Sequence, residues 1–299
     1  AEEPKPLRVG MIGLDTSHVV AFTKLINGSD EGPMKNIKVT AAYPGGSPDL
    51  PISANRIKGF TNTLREKYKV EIVSSIKELL ARVDVVLLES VDGRPHLKQA
   101  RPVLAEGKHA FIDKPIAASL ADTIKIFDLA KKYGTPCFTS SSLRFSKKLQ
   151  SLANDPKIGT IKRCDAFGPI NPLKGHPELF FYGIHGIEML FTVLGAGCEK
   201  VTWKDGVVTG IWKDGAIGTF QKGKYQVKVV GEKGKAQSGG GNYAGLIPEI
   251  CRFFRGAKPP VSAEETINLV AFMVAAEESK KAGGKEVTIA SVMKKAQSK

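Results

Sequence analysis

Three short segments carry residues whose types could do chemistry. The first is Ile112-Asp113-Lys114-Pro115, a lysine that follows an apolar run and is pinned by the next proline. An amine at the carboxyl end of a buried strand loses hydration, which lowers its pKa and lets it exchange protons with a hydroxyl. The second is Phe181-Tyr182-Gly183-Ile184-His185-Gly186-Ile187-Glu188. On a helix His185 and Glu188 lie one turn apart, so the carboxylate is placed to orient the imidazole as a general base. The third is Gly13-Leu14-Asp15-Thr16-Ser17-His18, a glycine turn between a strand and a helix. Such a turn brings backbone N–H groups and a helix N-terminus up to a phosphate.

That turn departs from the usual dinucleotide pattern. Gly13 suits the tight turn, but the next two glycine positions hold Asp15 and His18. Asp15 would set a carboxylate where a phosphate sits, a repulsive contact in a partly desolvated place. With no phosphate, Asp15, Thr16 or Ser17 would serve as the helix N-cap. The hydroxyls of Thr16 and Ser17 remain able to bind phosphate oxygens. After the second strand the chain reads Ala42-Tyr43-Pro44-Gly45-Gly46-Ser47, without the acid that commonly holds ribose hydroxyls. This leaves room for a 2′-phosphate on Ser47 or Arg56, or for no dinucleotide. Ser90 and Asp92 lie in the loop after the fourth strand and are further ligand candidates, whereas His96 reads as a helix-start residue. His176, in Pro172-Leu173-Lys174-Gly175-His176-Pro177, is placed to line a substrate pocket. The five histidines show no paired ligand spacing, so no metal is expected.

The elements that must position these residues alternate in the first half. Apolar runs at 7–13, 37–42, 71–73, 83–88, 109–112 and 136–139 read as strands, and residues 16–26, 54–68, 75–81, 95–106 and 119–133 as helices. That alternation implies βαβ units and a doubly wound parallel sheet, with ligands beyond the carboxyl ends of its strands. From residue 160 the pattern changes to alternating apolar and polar positions at 160–166, 199–202, 207–212, 216–222 and 225–230, an open, mostly antiparallel sheet with one solvated face. Helices are expected at 183–194, 247–255 and 263–281, and the run Ser238-Gly239-Gly240-Gly241-Asn242 as a flexible loop. The expected division is 1–145 for an α/β domain and 146–299 for an α+β domain, the last long helix being a candidate to pack back on the first.

Composition sets the class. Of 299 residues 42% are hydrophobic, which excludes a disordered chain, and only four are cysteine, which excludes a disulfide-stapled miniprotein. No apolar run approaches the roughly 20 residues that span a bilayer, so no membrane partner is expected. A net charge of +14 comes from lysines scattered singly or in pairs, with no arginine stripe interleaved with aromatics. That argues against nucleic acid and for attraction of anionic metabolites or acidic polysaccharides. Cys137, Cys164, Cys198 and Cys251 have no zinc spacing and read as buried thiols. The polar, Met-less start Ala1-Glu2-Glu3-Pro4 has the look of a processed, exported protein, otherwise a cytoplasmic one. The open sheet face suggests a homodimer through that surface, or a higher homo-oligomer.

The chain resembles the Gfo/Idh/MocA oxidoreductases, named for glucose–fructose oxidoreductase and inositol dehydrogenase. The resemblance rests on the glycine turn after strand one and on Glu106-Gly107-Lys108-His109-Ala110-Phe111-Ile112-Asp113-Lys114-Pro115, similar to the family's GKHV-x-x-EKP. Ser142-Leu143-Arg144-Phe145 and the tail from Pro259 to Ile289 add to it. It implies a Rossmann-like domain binding NAD or NADP and a carbohydrate-like substrate bearing a reactive hydroxyl. Lys114 would then touch cofactor and substrate, with Asp113 in place of the family's Glu. Gly13, Leu14, Asp15, Thr16, Ser17, Ser47, Ser90 and Arg144 would line the dinucleotide. Of the family's helix motif Asp-x-Gly-x-His-x-x-Asp, the first acid is Phe181 here, leaving His185 as the base beside Tyr182 and Glu188. On this view an amine and an imidazole from different domains meet over a bound sugar. Two alternatives stay open: a family member that holds NAD permanently and cleaves glycosidic bonds by transient oxidation, and a carbohydrate-binding relative that has lost the cofactor.

Overall fold

In the computed structural model, which describes residues 5–298, the chain divides into two units. The first comprises residues 1–117, 125–139 and 246–261, the second 118–124, 140–245 and 262–299. A single cut at 145 therefore misses the return of residues 246–261 to the first unit. The long helix after them, expected as a candidate to pack back there, belongs to the second. The Ala1–Pro4 start, on which the export expectation rests, lies outside the described residues.

The first unit is built on a six-stranded parallel sheet. Its elements run β1 (Leu7–Ile12), α1 (His18–Asn27), β2 (Ile37–Tyr43), α2 (Pro51–Ala54), α3 (Ile57–Tyr68), β3 (Glu71–Ile72), α4 (Ile76–Leu80), β4 (Val85–Leu88), α5 (His96–Ala105), β5 (Ala110–Ile112), α6 (Leu120–Tyr133) and β6 (Cys137–Phe138). The strand order is β3-β2-β1-β4-β5-β6. All four residues of β4 are buried, as a strand covered on both faces requires. The order reverses between β1 and β4, which opens a crevice beyond their carboxyl ends. The helix expected at 54–68 is α3, which starts at Ile57; a separate short turn, α2, which Pro51 opens, precedes it. His96 opens α5, as expected.

At the end of β1 the chain turns on Gly13, whose φ is +84°. A Cβ there would lie 2.2 Å from Ser90 Oγ and 2.4 Å from the Ser90 backbone nitrogen. Glycine is needed both for the dihedral and for the close approach of the loop after β4.

The second unit contains α7 (Lys147–Ala153), β7 (Ile161–Gly168), α8 (Gly183–Leu194), β8 (Cys198–Lys204), β9 (Val207–Trp212), β10 (Ile217–Lys222), β11 (Gln226–Gly231) and β12 (Lys235–Gly239). Next comes α9 (Leu246–Phe254), which belongs to the first unit, where Phe253 packs edge-on against Phe138 with ring centroids 5.0 Å apart. The chain ends with α10 (Ala263–Lys281), β13 (Val287–Thr288) and α11 (Ile289–Gln297). The sheet order is β12-β11-β7-β10-β9-β8-β13, and β7 and β10 pair in parallel within an otherwise antiparallel sheet. Alternation along a strand cannot reveal its neighbour's direction. The loop expected at 238–242 begins as the strand β12, whose Ser238 and Gly239 pair with Val227 and Gln226. One face of the sheet is covered by α8, where Gly186 lets Phe220 approach; Ile211 on β9, Ile217 on β10 and Val230 on β11 are exposed. Among the described residues no helix is long and apolar enough to cross a membrane.

Gly13→Ala is expected to lower the unfolding free energy by at least about 2 kcal/mol, the sum of a left-handed dihedral and an overpacked turn. Urea denaturation measures it.

Candidate functional site

Strand ends set the positions of the charged groups in the first unit. The Glu89 N–H donates to the Ile12 carbonyl at 2.7 Å and the Asp113 N–H to the Leu88 carbonyl at 2.8 Å. Each acid is thus the first residue past its strand, on neighbouring strands at the crevice rim. His18, the first residue of α1, brings Nδ1 to 2.6 Å from Asp113 Oδ2 and 3.9 Å from Glu89 Oε2. Its ring stacks on Phe22 one turn along the helix, with centroids 5.3 Å apart. The Lys114 N–H donates to Asp113 Oδ1 at 2.8 Å, and Lys114 itself is nearly buried.

The energetics follow from burial. Burial works against an ionised Asp113, but the positive charge and hydrogen bond of His18, with Lys114, hold its pKa below the ordinary carboxylate value. Glu89 goes the other way: burial, reinforced by the negative charge of Asp113, pushes it well above the usual range. Among the described residues neither Glu89 oxygen has a hydrogen-bond partner. Burial lowers the Lys114 pKa, partly opposed by Asp113 and Glu89. The sequence-predicted amine is therefore present with the predicted cause.

Several predicted ligand contacts are engaged elsewhere. Asp15 is fully buried, accepting from Ser53 Oγ at 2.6 Å and from the Val91 N–H at 2.9 Å. Its carboxylate ties the turn to α2 and to the loop after β4, so it neither caps α1 nor faces a phosphate. Burial raises its pKa. Leu14 is a core residue whose N–H donates to the Pro44 carbonyl. Ser90 is buried behind Gly13 and donates to Gln99 Oε1 at 3.0 Å, so it does not line a ligand. Ser47 donates to Asp92 Oδ2 at 2.5 Å, and Arg94 bridges Asp92 and Asp49 at 2.8 and 2.9 Å. Burial opposes an ionised Asp92, yet Arg94 and Ser47 hold its pKa below the ordinary value. This network fixes the loop after β2 to the loop after β4 and engages the Ser47 hydroxyl that was expected to meet a 2′-phosphate. His96 is fully buried between the Ser90 and Ile116 carbonyls, a structural position.

The start of α1 remains suited to an anion. Ser17 is exposed and makes no side-chain cap, while Thr16 Oγ1 accepts weakly from the His18 N–H at 3.4 Å. With Asp15 turned inward, the helix N-terminus keeps its electropositive character.

In the second unit His185 Nδ1 lies 2.7 Å from Ser141 Oγ, and Tyr182 and Tyr225 meet the imidazole edge-on at 6.1 and 5.8 Å. Burial pushes the Tyr225 phenol up to about 12. Glu188 does not orient His185. It accepts from Ser140 Oγ at 2.8 Å and from Arg144 Nε at 2.5 Å, and Arg144 Nη2 reaches Glu265 Oε1 at 2.6 Å. Arg144 and Glu188 therefore belong to a buried ion triad rather than to cofactor or substrate contacts. Phe181 is buried against Tyr182 where the resemblance placed an acid. His176 stays in its loop, its ring near the Lys174 carbonyl at 3.3 Å. Sequence reasoning missed His18 and Glu89 as partners of Asp113, and Ser141 as the orienting group. The available signal for Glu89 was an acid directly after four consecutive apolar residues.

Comparison with known proteins bears on this arrangement. Residues 7–141 match the profile of the oxidoreductase family with an NAD-binding Rossmann fold, the Gfo/Idh/MocA family. Over that segment the chain is similar to this family's NAD-binding Rossmann domain. An uncharacterized protein of Sinorhizobium fredii, y4oX, is 25% identical over 171 residues, covering 44% of this chain. The match spans about half, 48%, of that relative's length. Among solved structures, a probable dehydrogenase from Thermotoga maritima superposes with a TM-score of 0.78 at 21% identity, covering 96% of this chain and 100% of that one. Scyllo-inositol dehydrogenase from Lactobacillus casei, with bound NAD(H) and scyllo-inositol, gives 0.76 at 16% identity, covering 95% and 99%. These likenesses show a shared fold across both units.

Set against the family's nicotinamide dinucleotide, the residues of the first unit fit at the phosphates. Thr16, Ser17 and the uncapped start of α1 would hold them, and the carboxylate at the second glycine position is withdrawn. The stretch Tyr43–Ser47 supplies no acid for the adenosine ribose.

Asp92→Asn is expected to cost about 2 kcal/mol of folding stability at pH 7, the scale of a charged hydrogen-bond network member. A carboxylate whose folded pKa is depressed stabilises above its unfolded value and loses that contribution as pH falls through the folded one. The gap between variant and wild type should therefore close below about pH 4 in urea titrations at stepped pH.

Proposed function

We propose that this protein is an NAD(P)-dependent oxidoreductase acting on a hydroxyl of a sugar, sugar acid or cyclitol. The observation that carries the reading is Lys114, a desolvated amine beside two buried carboxylates at the carboxyl rim of the sheet. The scyllo-inositol bound by the Lactobacillus casei dehydrogenase supports a polyol as substrate class. The net charge of +14 favours anionic members such as sugar acids.

When bound, the nicotinamide supplies the hydride acceptor. The chain supplies proton handling and position. Oxidising a carbinol also requires removal of the hydroxyl proton, and the buried Lys114 amine, whose pKa burial lowers, is suited to exchange a proton with that hydroxyl. Asp113, kept ionised by His18, holds the backbone of Lys114 through its N–H. In the second unit His185, oriented by the Ser141 hydroxyl and flanked by two tyrosines, is the candidate base. NAD is not distinguished from NADP by any acid after β2, and the half-buried Arg56 is the group that favours a 2′-phosphate.

Purified protein is assayed with NAD+ and with NADP+ against a panel of inositols, aldoses and uronic acids. Lys114→Met and His185→Gln are each expected to lower kcat by about 10²–10⁴-fold while NAD(P)H binding, followed by fluorescence, is retained. Wild-type turnover in both variants overturns the proton-handling assignment. Failure to bind either coenzyme, with no nicotinamide released on denaturation, overturns the oxidoreductase reading and favours the cofactor-free relative. Nicotinamide released from the protein as purified favours the form that retains its cofactor.

A further inference from the structure

Glu89 poses a problem that the proposed reaction does not solve. It is fully buried, and among the described residues neither of its oxygens is hydrogen-bonded. Leaving such a group unsatisfied costs about 1–3 kcal/mol or more, and native interiors seldom keep one without a bound partner. A partner for Glu89 has to sit where His18 and Asp113 also point.

The geometry points to a divalent-cation site formed by His18 Nδ1, Asp113 Oδ2 and Glu89. The three ligand atoms lie within 4.8 Å of one another, with His18 Nδ1 at 2.6 Å from Asp113 Oδ2 and 3.9 Å from Glu89 Oε2. Ligands held at about 2.0–2.2 Å around one ion are separated by roughly 3–4 Å, so side-chain adjustments of about an ångström would close the site. The backbone already fixes two of the three, because Glu89 and Asp113 continue the ladders of β4 and β5. His18 is fixed by its stacking on Phe22.

Donor chemistry selects the ion. One imidazole and two carboxylates suit Zn²⁺, Mn²⁺ or Fe²⁺; calcium and magnesium prefer all-oxygen shells, and Cu⁺ prefers sulfur. Three donors that include two carboxyl groups suit a dication, which would also supply the partner that the Glu89 oxygens lack. Three protein ligands leave coordination positions open to a hydroxyl or carboxylate oxygen, the pattern of a reactive rather than a structural metal. His18 stands at a position where the dinucleotide pattern calls for glycine.

The test uses full-length protein stripped with chelator and free of coenzyme, so it is independent of the oxidoreductase reading. Titration with Zn²⁺ and with Mn²⁺, followed by calorimetry and thermal shift, is expected to show one saturable site. Glu89→Gln and His18→Gln should each weaken it at least about tenfold, while His176→Ala, in an unrelated loop, should leave it unchanged. X-ray absorption spectroscopy of the zinc-loaded wild type gives a second measurement if either variant fails to fold. It should show one imidazole, the remaining ligands oxygen, and no sulfur. Absence of saturable binding, equal affinity in the Glu89 and His18 variants, or a sulfur ligand would overturn the site. Loss of coenzyme binding with the metal titration intact would overturn only the oxidoreductase reading.

Discussion

A parallel sheet covered on both faces has no dry place for charge except the rim where its strands end, and this chain crowds that rim. Asp15, Glu89, Asp113 and Lys114 are all buried beyond the carboxyl ends of β1, β4 and β5. Each buried charge is expensive unless compensated, and the compensation is what shapes the loops. Asp15 takes a hydroxyl from α2 and an N–H from the loop after β4. Asp113 takes His18. Asp92, farther out, takes Ser47 and Arg94 and so binds two crossover loops together.

The same constraint explains how a divergent glycine turn remains compatible with a dinucleotide fold. A carboxylate at the second glycine position would repel a pyrophosphate if it faced the helix start. Ser53 and Val91 draw it inward, which leaves the α1 dipole free for an anion. Gly13 keeps its place for a different reason than phosphate approach: the Ser90 backbone occupies the space a side chain would need. The second unit repeats the logic with opposite sign. The buried guanidinium of Arg144 is neutralised by Glu188 and Glu265, and Ser140 completes the Glu188 shell. Ser141, its neighbour, is then the residue set against His185.

Periodicity made most of the architecture legible from sequence. Continuous apolar runs such as 83–88 and alternating ones such as 207–212 distinguish the two sheets, because a strand buried on both faces and one buried on a single face differ in their side-chain period. Lys114 was also legible, since a lysine after a buried strand and before a proline has little freedom in where it ends up. Strand direction was not: nothing in the β7 or β10 pattern says that the two run parallel. Nor was the return of α9 to the first unit, which depends on Phe253 finding Phe138 across more than a hundred residues of chain.

The sequence by itself thus determined which segments become strands and helices, and that an amine stands at the rim of the first sheet. Tertiary structure alone decided what surrounds each polar group. Glu188 and His185 are one helical turn apart, yet Arg144 claims the acid and Ser141 the imidazole. His18, Glu89 and Asp113 are separated by up to 95 residues, yet their ligand atoms fall within 4.8 Å. Local periodicity is set by neighbours in the chain, whereas the partner of a buried charge is set by which strand ends the sheet order places side by side.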